Sequence, residues 1–267
     1  MPRLSPLMTV MVAAARKAAR NLQRDFGEVE NLQVSLKGPG NFVSAADLRA
    51  EETLREELSH ARPGYGLLLE EAGEIKGTDT THRWIVDPLD GTTNFLHGIP
   101  QFAINIALER DGAIVAGLTY NPISDEMFLA EKGQGAYLND RRLRVAARRD
   151  LSQAVVATGV PHLGRPGHKE FQAEMAALMP QVAGIRRSGS AALDMAYVAA
   201  GRYDAYWEAA LAPWDLAAGL ILVREAGGYV SDLDGKDQVL KSGTVLAAND
   251  TLHAPLQRLL AQARTET

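Results

Sequence analysis

The chain has 267 residues, which is long enough for one large domain or for two modest domains that share a core. Its 46% hydrophobic and 23% charged residues are typical of an ordinary globular protein, and a formal net charge of −5 argues against a general nucleic-acid or membrane binder. Because cysteine is absent, disulfides, thiolate metal sites and cysteine nucleophiles are excluded, and we expect a cytoplasmic protein.

Two helices are predicted in the N-terminal part of the chain. Apolar residues between Leu7 and Leu22 recur at helical spacing and basic residues interrupt them, so this segment is an amphipathic helix rather than a signal sequence or a membrane span. Further on, Ser44 and Asp47 have the spacing of a capping box, which predicts a helix that continues to about Leu58.

The remainder of the chain is rich in predicted strands. Residues 83–145 form short β-rich runs separated by turns, which indicates a meander of antiparallel strands. From Ala154 onward strands and helices alternate, which indicates sheet layers covered by helices, of the α+β or α/β class. We expect a single domain over residues 1–267, with an N-terminal lobe of about residues 1–148 and a C-terminal lobe of about residues 149–267.

The segment "RWIVDPLDGTTNF", residues 83–95, places two carboxylates at the end of an apolar run. Residues three apart do not share a face of a regular strand, so Asp87 and Asp90 converge only if the Pro88–Leu89 step turns the chain. Two converged carboxylates repel each other unless a cation lies between them, and oxygen ligands of this kind suit Mg²⁺. The segment therefore predicts a metal site.

The residues that follow predict an anion site beside the metal. Gly91, Thr92 and Thr93 would begin a helix whose amides point at a phosphate. The simpler alternative is a strand, a tight turn and an Asp or Thr helix cap that binds no ligand.

Two other segments repeat the pattern of an apolar run next to a carboxylate. "GLLLEEAGE" contains Glu70 and Glu71, and "LAPWDLAAGLILVREAGG" places Asp215 at a predicted helix start. Each has a simpler alternative, namely solvated loop acids for the first and a helix cap for the second. Together with the aspartate pair they indicate a shared cation cluster.

Weaker signals lie in the C-terminal half. Small residues precede a predicted helix at Gly189, Ser190 and Ala191, and Glu208 ends a predicted strand where it can accept hydrogen bonds from a substrate hydroxyl. Packing or capping is the more common reason for such residues at these places. The arginine-rich residues 141–149 are interpreted as a solvated face, and no HExxH or GxSxG motif is present.

Three segments, "WIVDPLDGTTNF", "EEAGE" and "PWDLAAGLILVREAGG", resemble the signature sequences of the inositol monophosphatase family. This family belongs to the Mg²⁺-dependent, lithium-sensitive sugar phosphatases. The resemblance implies a layered αβαβα sandwich and a phosphomonoesterase that hydrolyses myo-inositol 1-phosphate without a phosphoenzyme. It also implies two or three Mg²⁺ ions and a homodimer.

The resemblance assigns roles position by position. One Mg²⁺ would be bound by Glu70, Asp87 and the carbonyl of Leu89, a second by Asp87, Asp90 and Asp215, and a weaker third near Glu70. Water activation would fall to Glu70 and Thr92, with Asp47 polarising Thr92. The phosphate would be held by the amides of Gly91, Thr92 and Thr93, and the ring hydroxyls would meet Asp90, Gly189, Ser190, Ala191 and Glu208. Lys37 matches a family lysine near the site.

Several alternatives remain at this point. Ala72 and Ser190 depart from the serine and threonine that many relatives carry, and the second departure bears on the substrate assignment. Fructose-1,6-bisphosphatase or another sugar or nucleotide phosphatase activity is the nearest alternative. A transcription- or RNA-associated regulatory factor is an alternative of another class, motivated by the resemblance and by the arginines of residues 141–149.

Overall fold

The structure is a computed structural model that describes residues 4–28, 34–38 and 41–265, without the side chains of residues 34–38 and 41–43. The α-helices are α1 Pro6–Gly27, α2 Ala45–Ala61, α3 Thr92–Leu96, α4 His168–Leu178, α5 Ala191–Ala199, α6 Pro213–Glu225, α7 Val239–Ser242 and α8 Asp250–Thr265. The strands are β1 Val34–Gly38, β2 Asn41–Ser44, β3 Tyr65–Leu69, β4 Gly73–Ile75, β5 Asp79–Asp90, β6 Ala103–Arg110, β7 Ala113–Asn121, β8 Glu126–Glu131, β9 Gly135–Leu138, β10 Arg141–Arg142, β11 Val155–Thr158, β12 Gly184–Arg186, β13 Ala205–Glu208, β14 Tyr229–Ser231 and β15 Val245–Ala248.

Two mixed sheets carry most of the described strands. The larger sheet has the order β10-β9-β8-β7-β6-β5-β3-β4, and all its neighbours are antiparallel except β3 and β5. The smaller sheet has the order β12-β11-β13-β15-β14, with β11 parallel to both of its neighbours. Strands β1 and β2 form a separate hairpin. The predicted antiparallel meander is therefore confirmed in β6 to β9.

Helices cover both sheets in five layers. Helices α1 and α2 pack on one face of the larger sheet, and α5 and α6 lie between the two sheets. Helices α4 and α8 cover the outer face of the smaller sheet. Alternate strand residues explain this layering, since Trp84 and Val86 contact the α1 and α2 side whereas Ile85 contacts α6. The predicted αβαβα sandwich is confirmed.

Local sequence signals fix the ends of several helices. Ser44 and Asp47 form the predicted capping box at α2, with the Ser44 amide donating to Asp47 at 2.9 Å. Helix α6 begins at Pro213, two residues earlier than predicted, and is buried along most of its length because sheets cover it on both sides. No helix of the described residues is long and apolar enough to cross a membrane. The division into two lobes stays a prediction.

Candidate active site

A β-bulge brings the two aspartates of β5 to the same side of the larger sheet. Asp87 pairs with Asn105 and Asp90 pairs with Ala103, so β5 has three steps where β6 has two. An extra residue in one strand shifts the alternation of side chains, and two residues that would face opposite sides now share one. The prediction of a turn at Pro88–Leu89 is therefore wrong, because the strand continues to Asp90. The predicted convergence of Asp87 and Asp90 is present, and the bulge produces it.

A third carboxylate joins this pair from α6. Asp215 is the third residue of the helix and accepts a hydrogen bond from the Ala212 amide at 2.8 Å, so it also caps the helix start as the simpler alternative supposed. The first turn of α6 is tied to β6, because the Asn105 side chain donates to the Trp214 carbonyl at 2.6 Å. One oxygen each of Asp87, Asp90 and Asp215 lies within 4.8 Å of the other two.

Burial and mutual repulsion disfavour the ionised form of this carboxylate cluster, which comprises Asp87, Asp90 and Asp215. Burial, followed by the charges of Glu70, Asp90 and Asp215, raises the pKa of Asp87 well above its ordinary value. Burial is also the main cause that raises the pKa of Asp90 to about 6 and that of Asp215 to about 8. A cation with oxygen preference would remove both penalties, so the donor set fits a hard divalent metal ion.

Glu70 lies at the end of β3, next to the cluster, where it lines the same cleft. The turn that follows is held by Glu51 of α2, whose carboxylate accepts from the Glu71 amide at 2.8 Å and from the Ala72 amide at 2.9 Å. Glu51 is almost fully buried. Sequence reasoning missed it, since an acid inside an amphipathic helix shows no sign that it reaches a distant turn.

Thr92 connects the capping box of α2 with the bulge of β5. Its hydroxyl lies 3.1 Å from the Asp47 carboxylate and 3.1 Å from the Leu89 carbonyl, and both of these are acceptors. Asp47 is fully buried and is oriented by Ser44, and burial raises the pKa of Asp47. The Thr92 hydroxyl thus lies between Asp47 and Leu89, and the roles that the family resemblance implies for these residues stay predictions.

The chain turns sharply at Gly91 before α3. Gly91 has a φ of 95°, a left-handed conformation that side chains rarely adopt, and a Cβ there would lie 3.0 Å from the Gln101 carbonyl oxygen. Gly91 is the N-cap residue of α3, and no side chain of the described residues caps this end. Gly91, Thr92 and Thr93 line the cleft, as predicted.

The start of α5 contacts the carboxylate cluster through Asp90. The Asp90 carboxylate accepts from the Ser190 hydroxyl and, at 2.8 Å, from the Ala192 amide. Gly189 and Ala191 also line the cleft, so all three small residues singled out from the sequence lie beside the carboxylates. Ser190 caps α5 as well, accepting from the Leu193 amide at 3.3 Å.

Glu208 also lines the cleft, at the end of β13. The cleft has a volume of about 130 Å³. Burial raises the pKa of Glu208 to about 7. Seven further residues that line the cleft were not singled out from the sequence, namely Gly159, Val160, His162, Arg165, Arg187, Asp194 and Leu211. They carry no motif, because three separate chain segments bring them together.

The side chain of Lys37 is the one residue of the predicted site that lies outside what the structure describes. Each of the other predicted side chains or backbone groups lines the cleft, except Asp47, which contacts it through Thr92.

The protein is a five-layered sandwich with a buried cluster of three carboxylates at the end of β5, and this cluster could bind a metal ion. Residues 3–266 match the model of the inositol monophosphatase family, and the chain belongs to this family. It is a phosphoric monoester hydrolase that acts on a phosphate monoester, as the motifs predicted.

Individual relatives are similar to this protein over almost the whole chain. An inositol-1-monophosphatase of Mesorhizobium japonicum is 61% identical over 252 residues, which cover 94% of this chain and 95% of that protein. The Nus factor SuhB of Escherichia coli is 40% identical and covers 98% of this chain and 97% of its own. The crystal structure of the extragenic suppressor protein suhB from Bartonella henselae is 58% identical, covers 96% of this chain and 98% of its own, and superposes with a TM-score of 0.94.

Proposed function

We propose that this protein is an inositol-1-monophosphatase that hydrolyses myo-inositol 1-phosphate to myo-inositol and phosphate with two or three Mg²⁺ ions. The observation that carries the proposal is the convergence of Asp87, Asp90 and Asp215 at the bulge, beside the hydroxyl of Thr92. The 61% identity to an inositol-1-monophosphatase supports the choice of substrate.

The donor set divides between two principal ions. Glu70, Asp87 and the Leu89 carbonyl would hold one, and Asp87, Asp90 and Asp215 would hold the other. When bound, Mg²⁺ lowers the pKa of a water molecule and neutralises charge on the attacking and leaving oxygens of the ester.

Thr92 and Glu70 orient the attacking water. Because both neighbours of the Thr92 hydroxyl are acceptors, its hydrogen points at Asp47 or Leu89, and its oxygen is left to accept a hydrogen bond from water. Glu70, which lines the same cleft, accepts a hydrogen bond from the other O–H group of that water. The water then presents a lone pair to the phosphorus atom.

The remaining predicted residues bind the ester. Amides at Gly91, Thr92 and Thr93 hold the phosphate, because the start of α3 lacks a side-chain cap among the described residues. Hydroxyls of the inositol ring contact Asp90, Gly189, Ser190 and Ala191 beside the carboxylate cluster, and Glu208 at the end of β13.

The test is phosphate release from a panel of esters with and without Mg²⁺. We expect Mg²⁺-dependent turnover with the highest kcat/KM for myo-inositol 1-phosphate. Fructose 1,6-bisphosphate and adenosine 3',5'-bisphosphate represent the alternative substrates. Preference for either of them would overturn the substrate assignment, and turnover without a divalent ion would overturn the metal assignment.

A second candidate function has one observation in its favour. The 40% identical relative is named a Nus factor, and a transcription- or RNA-associated role was the alternative that the sequence left open. The arginines of residues 141–149 give it little support, since Arg148 pairs with the buried Asp204 at 3.1 Å. If this role dominated, Asp87→Asn would keep function in cells while losing hydrolysis. A homodimer, a cytoplasmic location and inhibition by lithium stay predictions.

A further inference from the structure

Glu208 and Gly159 are neighbours across two parallel strands. Thr158 of β11 is the register partner of Trp207 in β13, so the next residue of each strand lies side by side at the sheet edge. Tyr206, two residues before Glu208, lies on the same face of β13 and packs in the core against α5 and α6. This face opens into the cleft, which Gly159 and Glu208 both line.

The Glu208 carboxyl group occupies the space in which a side chain of residue 159 would stand. A Cβ placed on Gly159 would overlap with the carboxyl carbon and with both carboxylate oxygens of Glu208. Gly159 does not have a positive φ, so the backbone conformation does not demand glycine here. A side chain at residue 159 would therefore displace the Glu208 carboxylate from the position that it occupies.

Tyr206 fixes the same carboxylate by a hydrogen bond. Its ring is fully buried, and its hydroxyl donates to Oε2 of Glu208. Burial and the charge of Glu208 raise the pKa of Tyr206 well above its ordinary value, so the hydroxyl keeps its proton. A carboxylate accepts several hydrogen bonds, and one bond to Tyr206 sets its direction while leaving capacity for substrate hydroxyls.

This arrangement removes a cost of binding. A glutamate side chain has several rotatable bonds, and a free one loses their entropy when it binds a ligand. The space above Gly159 and the hydrogen bond from Tyr206 hold the carboxylate in one position before the substrate binds. This preorganisation lowers the entropy cost of binding.

We propose that Gly159 and Tyr206 are positioning residues that hold the Glu208 carboxylate toward the cleft and thereby set the preference of the site for polyol phosphates. The inference rests on the proposed function, in which Glu208 accepts a hydrogen bond from a ring hydroxyl. Neither residue contacts the phosphate or the metal ligands in this account.

The test compares two substrates, myo-inositol 1-phosphate and 4-nitrophenyl phosphate, which has no hydroxyl-bearing ring. Gly159→Ala and Tyr206→Phe are made alone and in combination with Glu208→Ala. Gly27→Ala is the matched control for the first, because a Cβ there contacts nothing within 4 Å and its φ is not positive. Tyr120→Phe is the matched control for the second, because it removes a 2.8 Å bond from a tyrosine to Asp125 outside the cleft.

We expect each single variant to lower kcat/KM for inositol 1-phosphate more than for 4-nitrophenyl phosphate, by about tenfold for Gly159→Ala and about fivefold for Tyr206→Phe. The change should fall mainly on KM, because the interaction is made in the ground state and the transition state alike. Once Glu208→Ala has removed the carboxylate, neither substitution should change the substrate ratio further.

Two results would overturn the inference. One is an unchanged substrate ratio in both single variants, which includes an equal loss on both substrates, and the other is an undiminished effect in the Glu208→Ala background. Tyr206→Phe adds no atoms to the core, so it keeps the test decisive even if Gly159→Ala impairs folding. Failure of the proposed function is a separate result, since it would show as the unaltered protein not hydrolysing inositol 1-phosphate at all.

Discussion

Two parts of the cleft, the carboxylate cluster and Glu208, use carboxylates in opposite ways. At the bulge of β5, three acids lie within 4.8 Å of one another, and burial together with the neighbouring charges raises the pKa of Asp87, so the ionised cluster is stable only with a cation. At the end of β13, the Glu208 carboxylate accepts a hydrogen bond from Tyr206 and fills the space over Gly159. The cluster depends on a bulge in the backbone and Glu208 on side-chain contacts, so substitutions should separate the two.

The largest effect is expected at the carboxylate cluster. Asp215→Asn and Asp87→Asn remove a charged ligand and should lower kcat about 10³-fold on myo-inositol 1-phosphate and 4-nitrophenyl phosphate alike. Circular dichroism should show a folded protein, because fewer buried repelling charges remain. Asp140→Asn, an exposed acid away from the cleft, is the control. Near-normal kcat in Asp215→Asn would show that the cluster is not the metal site.

A smaller effect is expected from the water-orienting hydroxyl. Thr92→Val keeps the shape of the side chain but removes its link to Asp47 and Leu89, and should lower kcat about 10²-fold with both substrates. Thr92→Ser retains the hydroxyl and should recover most of this loss. Steady-state kinetics at saturating Mg²⁺ measures both, and equal rates in the two variants would contradict the role.

A still smaller effect is expected from the support of the Glu70 turn. Glu51→Ala leaves the amides of Glu71 and Ala72 without their acceptor, and should lower the free energy of unfolding by about 1–3 kcal/mol and kcat by about tenfold. Glu52→Ala is the matched control, since Glu52 pairs with Arg55 on the surface. Urea denaturation and kinetics compare the two. If Glu52→Ala were as damaging, the buried contact would not be the cause.

The smallest effect is the pH dependence of stability without metal. Burial raises the pKa of Asp90 to about 6 and that of Asp215 to about 8, above the value of about 3.9 in an unfolded chain. The folded protein therefore binds more protons than the unfolded chain between about pH 4 and pH 8, so the free energy of unfolding falls as pH rises through that range.

Urea denaturation in EDTA and in Mg²⁺ measures this slope. Mg²⁺ competes with the protons, so the free energy of unfolding should depend less steeply on pH in its presence. In EDTA, the same dependence should be less steep for Asp215→Asn than for the unaltered protein. A slope that Mg²⁺ does not alter would mean that the ion binds elsewhere.

Much of this site could be predicted from the sequence because its acids follow apolar segments in recognisable motifs. The grouping of Asp87, Asp90 and Asp215 was expected, and so was the capping box of α2. The bulge that brings Asp87 and Asp90 together was not expected. A bulge depends on the pairing of β5 with β6, and no local pattern in β5 shows the register of its neighbour.

The part of the cleft around Glu208 was less predictable for the same reason. Glu208 could be suspected from its place at a strand end, but Gly159 lies about fifty residues earlier and has no motif. Its importance appears only when β11 and β13 are placed side by side. Glu51 was missed likewise, because its partners are amides of a distant turn.

The carboxylate cluster is tested most directly by calorimetric titration of Mg²⁺ into metal-free protein, comparing the unaltered chain with Asp215→Asn and Glu208→Gln. We expect Asp215→Asn to weaken Mg²⁺ binding about tenfold or more, whereas Glu208→Gln should bind the ion as the unaltered protein does. Equal binding by the unaltered chain and Asp215→Asn would contradict the claim that the carboxylate cluster is the metal site.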